Sequence, residues 1–186
     1  MIMLRDSITI QTTPEGIFKW LELMPQEYCA WHPDHVVCRV VKGSMLQPGS
    51  EIECKEYLHG KLHLMRLRTT RMDPGRRMEY EITGLGKGAF EVISRDEGVN
   101  FAAELGLGFD IPIIGTLVDA LLRALLRRRL DAIREHVREE GQNLKKIIES
   151  GWKPTSIADA ASWAIGLSPW RDGRSCDDRV PVIHGA

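Results

Sequence analysis

One long amphipathic segment, residues 113–149, constrains this chain more than any other feature. Leu117, Val118, Leu121, Leu122, Leu125, Leu126, Leu130, Ile133, Val137, Leu144 and Ile148 recur mostly three and four apart, which predicts one long helix with a single apolar stripe. Gly141 is a place where it can bend, and Gly151 and Pro154 end it. The most apolar stretch of the chain, 109–126, is broken by Asp110, Asp119 and Arg123, so a core helix is expected rather than a membrane span. Such a stripe must be covered by something. What precedes it in the chain is a run of β segments.

Residues 7–11 read as a first short strand. Thr13, Pro14 and Glu15 then start a helix: Thr caps, Pro is preset for the first turn, and Glu favours the positive helix end. A short helical or turn segment follows at 27–31, closed by Pro33. Segments 35–42, 51–58, 61–70, 77–83, 89–94 and 99–107 read as strands, separated by turn signals such as Asp73-Pro74-Gly75 and the glycines of 84–88. The order predicts an α+β fold in which a curved antiparallel sheet of about six or seven strands wraps the long C-terminal helix. Residues 1–151 make one domain of this kind. Residues 152–186 read as a tail rather than a separate domain, with a short helix over 157–165. Trp163 and Trp170 are expected to cover the main domain or a partner subunit, which keeps a homodimer open.

Composition narrows the function classes. Of 186 residues, 25 are Lys or Arg and 26 are Asp or Glu, a net charge of -1 without the basic excess of a nucleic-acid binder. Cys29, Cys38, Cys54 and Cys176 form no CxxC pair, which argues against a zinc ribbon or a thioredoxin-type site. Arg5 and Asp6 fall where a signal peptide needs an apolar run, so a reducing cytoplasm with free thiols is the expected setting. The glycines of 84–88 precede no helix and read as a turn, and the Arg127–Arg129 run is balanced by acidic neighbours.

The informative residues are polar groups on apolar faces. In segment 51–58, Ile52, Cys54, Glu56 and Leu58 share one face, which places the Glu56 carboxylate among core residues. It is there as half of a buried ion pair, at a cavity mouth, or as a metal ligand. His63 shares a face with Met65 and Leu67, while Arg66 and Arg68 take the other; His63 is therefore expected to point inward, first as a hydrogen-bonded core histidine and otherwise as a ligand. On the long helix, His136 and Glu140 lie one turn apart, with Glu140 inside the apolar stripe and Glu139 pointing away. Trp31-His32-Pro33-Asp34-His35 adds two imidazoles ahead of the second strand, either as ligands or as solvated loop residues. Two carboxylates aimed into one apolar cavity repel strongly unless a cation or a proton lies between them. One imidazole of the 31–35 segment with Glu56, His136 and Glu140 makes a set of two histidines and two glutamates.

The element order resembles the helix-grip fold of the Bet v 1-like, START and polyketide-cyclase (SRPBCC) superfamily, which implies a ligand cavity between sheet and helix. The four-residue constellation is similar to that of its metal-dependent branch, the diacetylphloroglucinol and phloretin hydrolases, which cleave a carbon–carbon bond between an acyl group and a phenolic ring. There the matching residues are Trp31, Pro33 and His35, then Glu56, then His136 and Glu140. The Trp-to-His spacing is one residue tighter here, which keeps His32 open as the ligand in place of His35. The resemblance implies a divalent metal, Zn²⁺ first, at His35, Glu56, His136 and Glu140. It implies hydrolysis of a small hydrophobic or aromatic acyl compound; His63, or whichever of His32 and His35 is not a ligand, is expected to act as general acid or base. A carrier of hydrophobic ligands or a metal-free cyclase of the same fold is the competing expectation.

Overall fold

The computed structural model describes residues 1–58, 60–108 and 115–153, with the side chains of 115–129 outside the description. Among the described residues ten elements follow one another: β1 (Ile2–Ile10), α1 (Pro14–Glu22), α2 (Met24–Trp31), β2 (His35–Lys42), β3 (Glu51–Leu58), β4 (Lys61–Asp73), β5 (Arg77–Ile82), β6 (Gly86–Arg95), β7 (Gly98–Leu107) and α3 (Gly115–Glu149). The seven strands form one sheet in the order β1-β7-β6-β5-β4-β3-β2, antiparallel throughout. Chain neighbours pair by hairpins from β2 to β7, and β1 returns to close on β7. This is the expected helix-grip architecture.

The long helix is continuous through Gly141 and packs chiefly on β1 and β7. Leu144 joins the main core with Ile10, Ile17, Trp20 and Phe101, while Leu130 closes a smaller cluster with Ile2 and Leu4. Leu130, Ile133 and Leu144 thus face the sheet as their spacing predicts. Leu122 and Leu126 fall outside the described side chains, and the expectations for the tail lie outside the described residues from 154 onward.

Boundaries differ where local chemistry misleads. β1 begins at Ile2, because Ile2 and Leu4 point inward in strict alternation while Arg5 faces out to Glu91 and Glu104. β6 takes in Gly86 and Gly88, read from sequence as a turn. A Cβ at Gly88 would run into the Tyr80 ring, so this glycine lets Tyr80 lie flat across the strand. α1 is capped by Thr13, whose hydroxyl accepts from the Gly16 amide. Met24 and Pro25 then open α2 directly after Leu23, which turns the chain without a loop. Among the described residues, Cys38 and Cys54 are free thiols, as expected for them.

Candidate metal centre

Three elements meet at one end of the space between sheet and helix: the turn after α2, strand β3 and the last third of α3. The turn is His32-Pro33-Asp34-His35, closed by a bond from the His35 amide to the His32 carbonyl at 3.1 Å. Pro33 fits the second position of such a turn and Asp34 the third. The turn folds both histidines to the same side, with their rings 5.4 Å apart. The Asp34 carbonyl accepts from the Tyr57 amide at 2.9 Å, which ties the turn to β3. In the β2–β3 register His35 stands opposite Glu56. On the helix side, the Trp31 indole N–H donates to the Glu140 carbonyl at 2.9 Å and fixes α2 against α3.

All four expected ligands meet there. His35 Nε2 lies 3.1 Å from Glu140 Oε1 and 3.6 Å from Glu56 Oε2, and His136 Nε2 lies 3.7 Å from the same Glu140 oxygen. His32 is brought in as well: the ligand nitrogens of His32, His35 and His136 lie within 4.8 Å of one another. His32, His35, Glu56 and His136 are buried, and the Glu140 side chain is 15% exposed. The turn thus delivers both imidazoles to the cluster.

Hydrogen bonds assign their roles. His35 Nδ1 is 2.9 Å from the Tyr28 carbonyl, which can only accept, so Nδ1 carries the proton and Nε2 presents a lone pair to the two glutamates. Burial drops the His35 pKa to about 4 against the opposing pull of Glu56, which keeps the ring neutral. Burial lifts Glu140 to about 7, opposed by His136 and His32. Glu56 rises to about 6, again by burial, with the Glu140 charge adding to it and a 2.6 Å hydrogen bond from the Tyr28 hydroxyl opposing. His136 is lowered by burial, and its Nε2 is buried with no hydrogen bond among the described residues. The His35 lone pair, 3.1 Å from Glu140 and 3.6 Å from Glu56, with His136 Nε2 3.7 Å from the same Glu140 oxygen, makes a donor set that fits a divalent cation of the zinc type.

Three participants were not legible in the sequence. Tyr28 stacks flat on His35, ring centroids 3.8 Å apart, and donates to Glu56. Asp34 lies 4.0 Å from both His32 Nδ1 and His136 Nδ1. Glu139, expected to point away, reaches His32 Nε2 at 3.1 Å. His63 corrects another expectation. It stands opposite Glu56 in the β3–β4 register and so shares its face, but it is exposed together with Lys61, Leu62 and Leu64. The alternation is right, but this end of β4 runs beyond the core, so face alone does not bury the residue.

Glu56, His136 and Glu140 of the cluster line a cavity of about 120 Å³ whose wall is otherwise mostly apolar, including Met45, Ile52, Met78 and Phe90, with Glu104 a further charged member. Among the described residues no helix is long and apolar enough to cross a membrane.

Known proteins set this geometry in context. The di-domain aromatase/cyclase BexL from the BE-7585A biosynthetic pathway is similar in structure, with a TM-score of 0.60 at 14% identity over 82% of this chain and 51% of that one. The di-domain aromatase/cyclase StfQ from the steffimycin pathway gives 0.58 at 18% identity over 80% of this chain and 51% of that one. TTHA0849 from Thermus thermophilus gives 0.54 at 17% identity over 81% and 99% of the two chains. At these identities the likeness is one of fold. No curated protein matches. The family model described as polyketide cyclase / dehydrase and lipid transport matches residues 1–140, reaching from β1 to Glu140 itself, and the chain therefore belongs to this family.

Proposed function

We propose that this protein is a metal-dependent hydrolase of small hydrophobic or aromatic acyl compounds, with acylphenols the leading class. The observation that carries the reading is the convergence of His35 Nε2, His136 Nε2 and the Glu140 and Glu56 carboxylates at the polar end of an apolar cavity. Without a cation, at least one glutamate must hold a proton at neutral pH for the cluster to be tolerable. His35, His136, Glu140 and Glu56 would hold the ion, which supplies Lewis acidity towards a substrate carbonyl when bound.

The chain's own groups supply the rest. The Tyr28 hydroxyl orients Glu56, and its carbonyl fixes the His35 tautomer, the kind of outer support that metal ligands need. His32 Nδ1 accepts from the Asp34 amide at 3.1 Å, so its proton sits on Nε2 and is donated to Glu139. The Glu139 side chain is 47% exposed, and the His32 ring lies 4.1 Å from that of His136. His32 and Glu139 thus connect the cluster to solvent, where a proton needed by a departing phenolic ring carbon can be taken up. His63, exposed on β4, is left without a part in this chemistry. The apolar wall excludes water from the acyl substituent and selects small, weakly polar substrates.

The test is turnover of a monocyclic acylphenol and of an aryl ester by the purified protein with Zn²⁺ and with chelator, following release of the free acid. Zn²⁺-dependent turnover that Glu140→Gln abolishes is expected. Saturable binding of the same compounds with no turnover in either condition would replace this reading by that of a hydrophobic-ligand carrier.

A further inference from the structure

Cys38 and Cys54 are used neither by the candidate metal centre nor by the cavity's polar end, yet they are placed as a pair. They stand directly opposite each other in the β2–β3 register, three residues after His35 and two before Glu56. Both are buried and free, and the Cys54 thiol donates to Cys38 Sγ at 3.1 Å. Opposed residues in an antiparallel ladder have Cα atoms about 4.5 or 5.5 Å apart, and both values lie within the span that a disulfide bridges. Closing the bond to about 2.05 Å therefore asks for side-chain rotation and no strand movement. Cys54 also lines the cavity, which gives a small oxidant a route to it.

We propose that Cys38 and Cys54 form a redox modification site, a buried dithiol that small peroxides entering the cavity convert to a cross-strand disulfide. In the first step Cys54 sulfur attacks one peroxide oxygen, the O–O bond breaks, and a sulfenic acid and water form. Cys38 sulfur then attacks the sulfenic sulfur, the S–O bond breaks, and a second water leaves. Two thiols lose two hydrogens in total, and one hydrogen peroxide is reduced to two waters. The bond joins β2 to β3 two pairs along the ladder from the facing His35 and Glu56. The proposal is independent of any metal, since both sulfurs lie on the sheet.

The full chain, treated with hydrogen peroxide and then alkylated, is digested without reduction and mapped by mass spectrometry. A cross-linked peptide containing Cys38 and Cys54, lost on addition of dithiothreitol, is expected at close to one per chain. Filling the cavity with the hydrophobic dye 8-anilinonaphthalene-1-sulfonate should slow its appearance several-fold. In Cys38→Ser the cross-link must vanish, and Cys54 should be recovered as a sulfenic or higher oxide. Recovery of both cysteines as alkylated thiols from peroxide-treated protein that retains its circular dichroism would overturn the proposal. So would cross-linking of Cys54 to any other cysteine in place of Cys38.

Discussion

Glu53 and Glu56 lie on the same strand, three residues apart, and meet opposite fates. Glu53 faces the outer side, where its two oxygens are taken by Arg66 and Arg39, and these hydrogen bonds hold its carboxyl below the usual range. Glu56 faces the cavity, where it meets a phenol, a neutral imidazole and a second carboxylate, and its pKa rises to about 6. The same residue type is neutralised by fixed cations on one face and left short of positive charge on the other. A buried carboxylate that a fold leaves uncompensated costs stability, so its persistence points to a partner supplied from outside.

Breaking the inner side has the largest expected effect. Glu140→Gln or Glu56→Ala should take Zn²⁺ binding from about one ion per chain to none by calorimetric titration, with the fold kept by circular dichroism. The metal-free variant should also be more stable than the metal-free wild type at high pH. Glu140 holds its proton more tightly when folded, at about 7 against an ordinary 4.5. Its contribution is thus fully present below about 4.5 and lost as pH rises through 7. Above pH 7, Glu140→Gln should exceed the wild type by about 1–3 kcal/mol in urea unfolding without metal. A less stable variant at pH 8 would show that the carboxylate is compensated within the chain.

The same titrations set the pH dependence of metal binding. His35, at about 4, is already neutral at pH 6, whereas Glu56 and Glu140 at about 6 and 7 must release protons. Zn²⁺ affinity should rise between pH 6 and 7.5, up to roughly tenfold per unit for each proton released. A flat profile in a non-chelating buffer would contradict the assignment of these carboxylates as ligands. Tyr28→Phe removes the hydrogen bond that holds Glu56 down, and should weaken Zn²⁺ roughly tenfold while leaving one ion per chain. At the outer side, Glu53→Ala should lower the melting temperature by roughly 3 °C and leave Zn²⁺ stoichiometry and affinity unchanged. A loss of metal there would erase the contrast between the two glutamates.

The two glutamates also show what a sequence can reveal. Strand parity separates Glu56 from Glu53 without coordinates, and helical spacing puts His136 and Glu140 in one stripe. These rules work because side-chain direction follows from local backbone geometry alone. Parity says nothing about how far a strand runs past the core, which is why His63 has the expected face and the wrong exposure. Tyr28 lies on a two-turn helix too short for a clear period, and its role depends on how α2 docks on β2. Glu139 points off the stripe as expected, yet its flexible side chain reaches a histidine delivered by a turn 107 residues earlier in the chain. The Cys38–Cys54 pairing needs the β2–β3 register, which depends on the bulges in that ladder and on the geometry of the 43–50 connection.

The central claim is that the inner carboxylates are partnered by a metal ion. Elemental analysis of wild type and Glu56→Ala, each purified without chelator, incubated with Zn²⁺ and desalted, tests it most directly. The account predicts about one zinc per chain in the wild type and none in the variant. Equal metal in both, or none in either, would contradict it.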